Sequence, residues 1–186
     1  MNSVDLCSAV LEARPDALYV ASLGTATSAL RAASDDGPHF YFGGAMACAL
    51  GFALGVAERK PDREVVCLLG DGELLMSAGS LWSLAGLSPP NLLTVVLDNH
   101  MYGITGRQQT VTEGRFADVA AALPSLTTST ATTTADIHEQ AGQLKLPALV
   151  HATVEFDGPP GPSPFVEPDW VLPRFAVACG VTYPPR

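Results

Sequence analysis

Two short polar segments carry side chains that could hold a metal ion. Gly70-Asp71-Gly72 ends one apolar run, and Asp98-Asn99 ends the next β-type run along the chain. Carboxylate and amide oxygens suit Mg²⁺ or Ca²⁺ rather than zinc, and Gly70 and Gly72 let a ligand approach the backbone closely. An Asp-Gly pair after a strand is commonly only a turn. An asparagine 28 positions later, at the end of the following strand, favours the metal site instead.

The segments between these polar residues predict a strand, a crossover helix and a parallel strand. Residues 65–69 and 92–97 are the strands, and residues 74–87 form one apolar-periodic helix closed by Ser88-Pro89-Pro90. The fourteen helical residues run back about 21 Å, and the seven residues 92–98 run forward about 23 Å. Both strands therefore end at one edge of the sheet, where open α/β sheets bind ligands. Amides opening the helix at Gly72 favour a phosphate there, so a cation and these amides predict a diphosphate site.

This pattern resembles the diphosphate-binding motif of thiamine diphosphate (ThDP) enzymes. Within them the sequence is similar to the phosphonopyruvate and sulfopyruvate decarboxylases, through a GDG-x-LLM-x-x-G-x-L run, an LDN tripeptide and a T-G-x-Q segment at residues 105–108. The similarity extends, with gaps, from Gly24 to Phe175. It implies that ThDP is bound through Mg²⁺, whose protein ligands are Asp71, Asn99 and the carbonyl of Met101.

A second segment resembles the family's Gly-Ser-Met-Gly. Here it is Gly44-Ala45-Met46-Ala47, with Ala47 in place of the second glycine. The resemblance implies that the Gly44 carbonyl meets the cofactor's 4′-amino group and that Met46 is the apolar wedge that keeps ThDP bent; ordinary core packing is the alternative for Met46. The full set of implied cofactor contacts is Gly24, Gly44, Ala45, Met46, Gly70, Asp71, Gly72, Glu73, Asn99, Met101, Tyr102, Gly103 and Ile104.

Several polar residues near the motif have two interpretations. Glu73 stands where relatives carry a small residue that contacts the diphosphate; it either complements the dipole of its own helix or faces and repels the diphosphate. His100, the second catalytic candidate beside Met46, lines the cavity as an acid, base or substrate contact, or faces solvent. Residues 107–114 form a candidate lid, in which Arg107 and Gln108 are substrate contacts or face water.

The 186 residues, 47% of them hydrophobic, predict a single domain over residues 1–186. The predicted fold is a three-layer α/β/α sandwich with a mainly parallel sheet of about six strands. We expect helices over residues 2–13, from residue 45 and over residues 116–123, and strands over residues 17–21, 40–42, 126–128 and 147–155. Residues 127–136 read mostly as a surface loop, followed by a helix capped by Thr134 or Asp136. Residues 157–186 are predicted to be an extended linker and a closing helix with Pro173 in its first turn.

The charge pattern limits the classes of partner that we expect for this chain. A net charge of −9 with few, scattered basic residues argues against nucleic acid or an anionic membrane as a partner. Residues 40–57 are uncharged and just long enough to span a membrane, but Gly43-Gly44 interrupts them. We instead expect the small residues Gly51 and Gly55 to pack against another subunit.

The cysteines and the N-terminus indicate the compartment. Four cysteines without metal or redox spacing, and no signal-peptide pattern at the N-terminus, predict a cytoplasmic protein.

The resemblance implies decarboxylation of a small 2-oxo acid, with ThDP as the electron sink. It also implies a glutamate, on a pyrimidine-binding domain, that activates the cofactor. Fewer than seventy residues precede Gly70, which leaves no room for that domain. We therefore expect a separate pyrimidine-binding subunit with the glutamate, in a hetero-oligomer of the dimer-of-dimers type. Two alternatives remain open: a ThDP-dependent carboligase, acetolactate synthase-like or acyloin-forming, and a non-catalytic scaffold subunit, for which Glu73 and Ala47 argue.

Overall fold

The computed structural model describes residues 1–34, 36–112, 114–156, 158 and 160–182. Helices and strands alternate along most of the chain. In order, they are α1 (Ser3–Ala13), β1 (Leu18–Ala21), α2 (Thr25–Ser34), β2 (Phe40–Tyr41), α3 (Ala49–Arg59), β3 (Val65–Gly70), α4 (Asp71–Met76), α5 (Ser80–Leu87), β4 (Leu92–Asp98), α6 (Phe116–Ala121), β5 (Thr127–Ala131), α7 (Thr134–Gln143), β6 (Ala148–Thr153) and α8 (Pro168–Ala178).

The strands form one six-stranded sheet in the order β2-β1-β3-β4-β6-β5. Every pairing between the described strands is parallel. β3 and β4 occupy the middle of the sheet, and all seven residues of β4 are buried. Such continuous apolar runs are typical of parallel strands covered on both faces. The predicted sheet of about six parallel strands is confirmed.

Helices cover both faces of the sheet. α1, α2 and α7 pack on one face, around Leu6, Leu30 and Ile137. α3, α4, α5 and α6 pack on the other face, where Leu50 and Leu84 are fully buried. α8 lies beside the short edge strand β2 and contributes one residue to each core. The predicted three-layer sandwich is therefore also confirmed, with α8 closing one edge.

The crossover between β3 and β4 differs from the single helix predicted over residues 74–87. It consists of the six-residue α4, which begins at Asp71, and the eight-residue α5. The Ser77 hydroxyl donates to the Glu73 carbonyl at 3.0 Å, a local hydrogen bond that competes with helix continuation. Gly79, two residues later, has a low helix propensity. The return of the chain to the same sheet edge is unaffected.

Four further predictions are wrong in their local detail. Half of the predicted surface loop 127–136 is the edge strand β5, which pairs with β6. α7 is capped by Thr133, not by Thr134 or Asp136; the Asp136 side chain instead completes a capping box with Thr133. α3 begins four residues later than the helix predicted from residue 45. In α8, Pro168 starts the helix, as its fixed φ favours, and Pro173 lies in the helix interior.

Two predicted features lie partly outside the described residues: Asp157 and Pro159 of the linker and Glu113 of the candidate lid. Across the described ranges, none of the helices has the length and apolar character needed to cross a membrane.

Candidate cofactor site

The parallel pairing of β3 and β4 places the predicted metal ligands at one edge of the sheet. Gly70 is the register partner of Leu97, so Asp71 and Asp98 follow at the same level. Asn99, one residue further, is 8% exposed. The strand ends therefore meet as the residue pattern predicts.

A cavity of about 250 Å³ opens at this edge. Of the thirteen cofactor contacts implied by the sequence, all except Ala45 line it: Gly24, Gly44, Met46, Gly70, Asp71, Gly72, Glu73, Asn99, Met101, Tyr102, Gly103 and Ile104. The lining also includes Thr25, which the sequence offers as a cofactor contact or a helix cap, and Leu23, Ala26, Leu97 and Thr105, which the sequence did not single out. Segments from four separate parts of the chain thus converge on one space.

Asp71 is a buried acid without a basic partner among the described residues. It is 2% exposed, and its Oδ2 accepts a hydrogen bond of 2.6 Å from the Thr110 hydroxyl. Burial raises the pKa of Asp71 to about 6; the Thr110 hydrogen bond opposes this rise and the negative charge of Asp98 reinforces it. Among the described lysines and arginines, none forms a salt bridge with Asp71. A cation is the group that would neutralise this charge.

The donor set at the strand ends fits Mg²⁺. The Asn99 side-chain oxygen accepts from the Met101 amide at 3.0 Å, which folds Asn99 and Met101 into one tight turn. No cluster of three or more His, Cys, Asp or Glu among the described residues could hold a metal. The ligand set implied by the family resemblance instead consists of one carboxylate, one amide and one backbone carbonyl. Mg²⁺ usually binds through few protein groups of this kind and completes its shell with phosphate oxygens and water.

A second layer of polar groups supports the turn. Asp98 is fully buried. Its Oδ1 accepts from the His100 amide at 2.9 Å, and its Oδ2 lies 2.7 Å from Nε2 of His151. Burial raises the pKa of Asp98, but the hydrogen bonds with His151 and the His100 amide outweigh it and hold the pKa below its usual value. The sequence analysis missed His151, whose only signal is the register that sets it beside Val96.

Glu73 has a role that the sequence analysis did not predict. It is 3% exposed, and its Oε1 accepts from the amides of Cys48 and Ala49 at 3.1 and 3.2 Å. The carboxylate therefore caps α3, whose own N-cap residue Cys48 makes no side-chain capping bond, instead of serving only its own helix. Its second oxygen, Oε2, has no hydrogen-bond partner within the described part of the chain.

The segment before α3 has an unusual backbone. Gly44 and Ala47 have φ angles of 82° and 69°, in the left-handed region that glycine adopts freely. An alanine there is disfavoured by roughly 1–2 kcal/mol. This geometry explains why glycine is usual at the position of Ala47 in the family that the segment resembles. Met46 follows Gly44 into the cavity lining, and Ala45 is exposed.

The glycines near Tyr102 are needed for close packing within the chain. A Cβ on Gly72 would come within 2.5 Å of the Tyr102 ring, and one on Gly103 within 2.7 Å of the Phe156 ring. Gly72 thus lets the turn after β3 approach the loop after β4. This is a structural reason for Gly72 that the motif alone does not reveal.

Three predicted catalytic or substrate residues do not line the cavity. The His100 ring turns to Asp98, with Nδ1 3.0 Å from Oδ1. The Arg107 guanidinium lies over the Phe156 ring, 5.5 Å from its centre. Gln108 accepts hydrogen bonds from the Thr105 hydroxyl and the Gly106 amide, both at 2.9 Å. These contacts stabilise the loop after β4, and the substrate roles of these residues stay predictions.

Comparison with known families agrees with this geometry. The family described as thiamine pyrophosphate enzyme, C-terminal TPP binding domain, matches residues 22–152. This range contains every described residue of the cavity lining.

Individual relatives match to different extents. The chain is 32% identical over 176 residues to the sulfopyruvate decarboxylase subunit beta of Methanothermobacter thermautotrophicus, covering 94% of this chain and 92% of that protein. It is 42% identical over 96 residues to the phosphonopyruvate decarboxylase of Streptomyces viridochromogenes, but this covers 52% of the chain and only 24% of that protein. The fold resembles that of 2-oxoglutarate:ferredoxin oxidoreductase from Magnetococcus marinus, with a TM-score of 0.69 at 16% identity over 90% of this chain and 64% of the other.

Proposed function

The chain belongs to the thiamine pyrophosphate enzymes, whose C-terminal TPP binding domain it carries, and we propose that it is the diphosphate-binding subunit of a two-subunit decarboxylase. The proposed substrate is a small 2-oxo acid, and the proposed cofactors are ThDP and Mg²⁺. One observation carries the proposal: twelve of the thirteen cofactor contacts implied by the motif line a single cavity at the ends of β3 and β4. The substrate class follows from relatives that are named sulfopyruvate and phosphonopyruvate decarboxylases.

Each part of the cavity has a distinct task in this proposal. Asp71, Asn99 and the Met101 carbonyl hold Mg²⁺ and, through it, the diphosphate. Gly44 and Met46 orient the pyrimidine end of the cofactor. When bound, ThDP supplies the electron sink that allows CO₂ to leave the 2-oxo acid.

The proposal includes a partner because this chain alone would enclose only part of the cofactor. The cavity measures about 250 Å³, whereas pockets that enclose a small organic ligand usually measure about 300–1,000 Å³. Gly44 and Ala45 are exposed on its rim. The relative that the chain covers almost end to end is itself called a subunit. We propose that a pyrimidine-binding subunit completes the site and brings the glutamate that activates ThDP, in a hetero-oligomer of the dimer-of-dimers type.

The surface beside the cavity supports a large contact with that subunit. Gly51 and Gly55 are exposed on α3, and Met76 and Trp82 of the adjoining crossover are 58% and 59% exposed. Exposed apolar residues such as these are common at protein–protein interfaces. A cytoplasmic location is part of the proposal and is supported by four free cysteines, two of them buried.

The test is CO₂ release from pyruvate, sulfopyruvate and phosphonopyruvate in saturating ThDP and Mg²⁺. We expect no turnover by the chain alone, turnover by the chain assembled with a pyrimidine-binding subunit, and loss of turnover when that subunit's glutamate is replaced. Substantial turnover by the lone chain would refute the half-site proposal. An assembled pair that binds ThDP but releases no CO₂ from any of the three would refute the decarboxylase assignment.

Product analysis separates the alternatives that keep the cofactor. With an aldehyde or a second 2-oxo acid added, a decarboxylase still releases the simple aldehyde product, whereas a carboligase forms a new carbon–carbon bond. A scaffold subunit would yield neither product.

A further inference from the structure

Thr110 contacts the proposed metal site from a part of the loop that the motif does not include. Its side chain is 9% exposed, and its hydroxyl donates to Oδ2 of Asp71 at 2.6 Å. The two residues are 39 positions apart in the sequence. The hydroxyl is the one side-chain donor that the described residues offer to this carboxylate.

The hydrogen bond determines how the carboxylate is presented. One oxygen of Asp71 is engaged by Thr110, so the carboxylate cannot rotate freely about its Cβ–Cγ bond. Thr110 thereby orients the Asp71 carboxylate towards a cation, next to Asp98 and the Gly72 amide, which also interact with it. Groups that orient a metal ligand in this way commonly change metal affinity by about 10- to 100-fold.

Thr110 also fastens the loop that carries the other ligands. Its amide donates to the His100 carbonyl at 3.0 Å, and the Tyr102 amide donates to the Gln108 carbonyl at 2.9 Å. Met101 and Gln109 form an antiparallel bridge between these bonds. Residues 100–110 thus fold back on themselves like a small hairpin, and the returning arm ends on Asp71.

We propose that Thr110 is a positioning residue for the metal: its hydroxyl orients Asp71 and couples the folding of the 100–110 loop to the binding of Mg²⁺. The inference rests on the proposed function, since it needs Mg²⁺ at Asp71. It assigns a role to a residue outside the Asp71–Asn99 motif. It also makes loop closure and metal binding mutually stabilising.

The chain offers matched variants for the test. Thr110→Val keeps the shape and removes the donor, and Thr110→Ser restores a hydroxyl. Thr112→Val makes the same change two residues away, where the buried hydroxyl has no partner among the described residues. Mg²⁺ is titrated calorimetrically into the chain assembled with its partner subunit, in saturating ThDP. We expect Thr110→Val to weaken Mg²⁺ binding by about 10-fold or more, and both Thr110→Ser and Thr112→Val to stay close to the unmodified protein.

A second readout follows the loop itself. Arg107 is exposed, so trypsin cleavage after it reports opening of residues 100–110. Mg²⁺ and ThDP should slow this cleavage in the unmodified, Thr110→Ser and Thr112→Val proteins, and should slow it much less in Thr110→Val. If Thr110→Val does not fold, Thr110→Ala carries the same expectation.

The outcomes distinguish this inference from the function on which it rests. Unchanged Mg²⁺ affinity and unchanged protection in Thr110→Val, with normal binding by the unmodified protein, would overturn the role of Thr110 and leave the function intact. Failure of the unmodified assembly to bind Mg²⁺ with ThDP would overturn both.

Discussion

The two ends of the candidate cofactor site are built in contrasting ways. At the metal end, Asp71 and Asp98 are buried and each accepts a hydrogen bond from a neighbouring side chain or amide. At the other end, Gly44 and Ala45 are exposed and Met46 is half-buried. One end is therefore completed by this chain, and the other presents an open rim. Under the proposed function, this chain would anchor the diphosphate by itself, and a partner subunit would enclose the rest of the cofactor.

The largest effect is expected from a substitution that removes a metal ligand. Asp71→Ala deletes the only charged ligand in the donor set, so we expect ThDP and Mg²⁺ binding to fall below detection in calorimetry on the assembled protein. Asp136→Ala is the matched control, because Asp136 belongs to the capping box of α7 and is not part of the cavity lining. Unchanged ThDP affinity in Asp71→Ala would contradict the metal assignment.

The next effect concerns the exposed end. Met46→Ala should leave the diphosphate anchored but lower turnover by about 10- to 100-fold, because the reacting groups lose their alignment. Met46→Leu preserves the bulk and should keep most of the activity. Steady-state kinetics and ThDP titrations measure the two quantities separately. Wild-type turnover by Met46→Ala would make Met46 an ordinary packing residue.

Glu73 connects the metal end of the site to the segment at the exposed end. It follows Gly72 in the sequence, and its carboxylate caps α3 by accepting from the amides of Cys48 and Ala49. Glu73→Ala leaves these amides without their acceptor and should lower the free energy of unfolding by about 1–2 kcal/mol. For a chain of this size, each kcal/mol corresponds to a drop in Tm of roughly 2–4 °C. Glu73→Gln retains an acceptor oxygen and should lose less. Calorimetric melting of the cofactor-free chain is the measurement, and an unchanged Tm in Glu73→Ala would argue against the cap.

The smallest effect concerns the left-handed backbone at the exposed end. Ala47→Gly removes a Cβ from a residue with a φ of 69° and should raise the free energy of unfolding by up to about 1 kcal/mol. Ala45→Gly is the control in the same segment, because Ala45 has no positive φ and gains nothing from glycine. A lower Tm in Ala47→Gly than in the unmodified chain would show that the strain is relieved elsewhere.

The main architecture could be predicted because local signals and tertiary structure agree there. The apolar runs of β3 and β4 each end in Gly or Asp, which sets both their length and the position of the ligands. The strand predicted over residues 126–128 covers only the start of β5, because the signal there is weak: the Thr- and Ser-rich sequence becomes a longer strand only through pairing with β6. The break between α4 and α5 lies at Ser77, whose side chain bonds back to the Glu73 carbonyl, and near Gly79; helical periodicity does not reveal either feature.

Only those residues of the candidate site that belong to a sequence motif could be predicted. Residues within the motif have fixed spacing, so their convergence follows from the strand–helix–strand unit. Thr110 and His151 reach Asp71 and Asp98 across 39 and 53 residues. Such contacts follow from strand register and loop closure, which a single sequence does not encode in any local pattern. Glu73 was misassigned for the same reason, since the helix that it caps begins 24 residues before it.

The central place of β3 and β4 in the sheet also affects how the protein opens. Each has a strand on both sides, so the amides of residues 65–70 and 92–98 exchange with solvent only when the whole domain unfolds. Amides of residues 43–48, on the exposed rim, exchange through small local openings. A molecule held at both ends would therefore lose its contacts around Met46 many times before those at Asp71 are released. Dissociation then begins at the rim, and the strand ends are the last point of attachment.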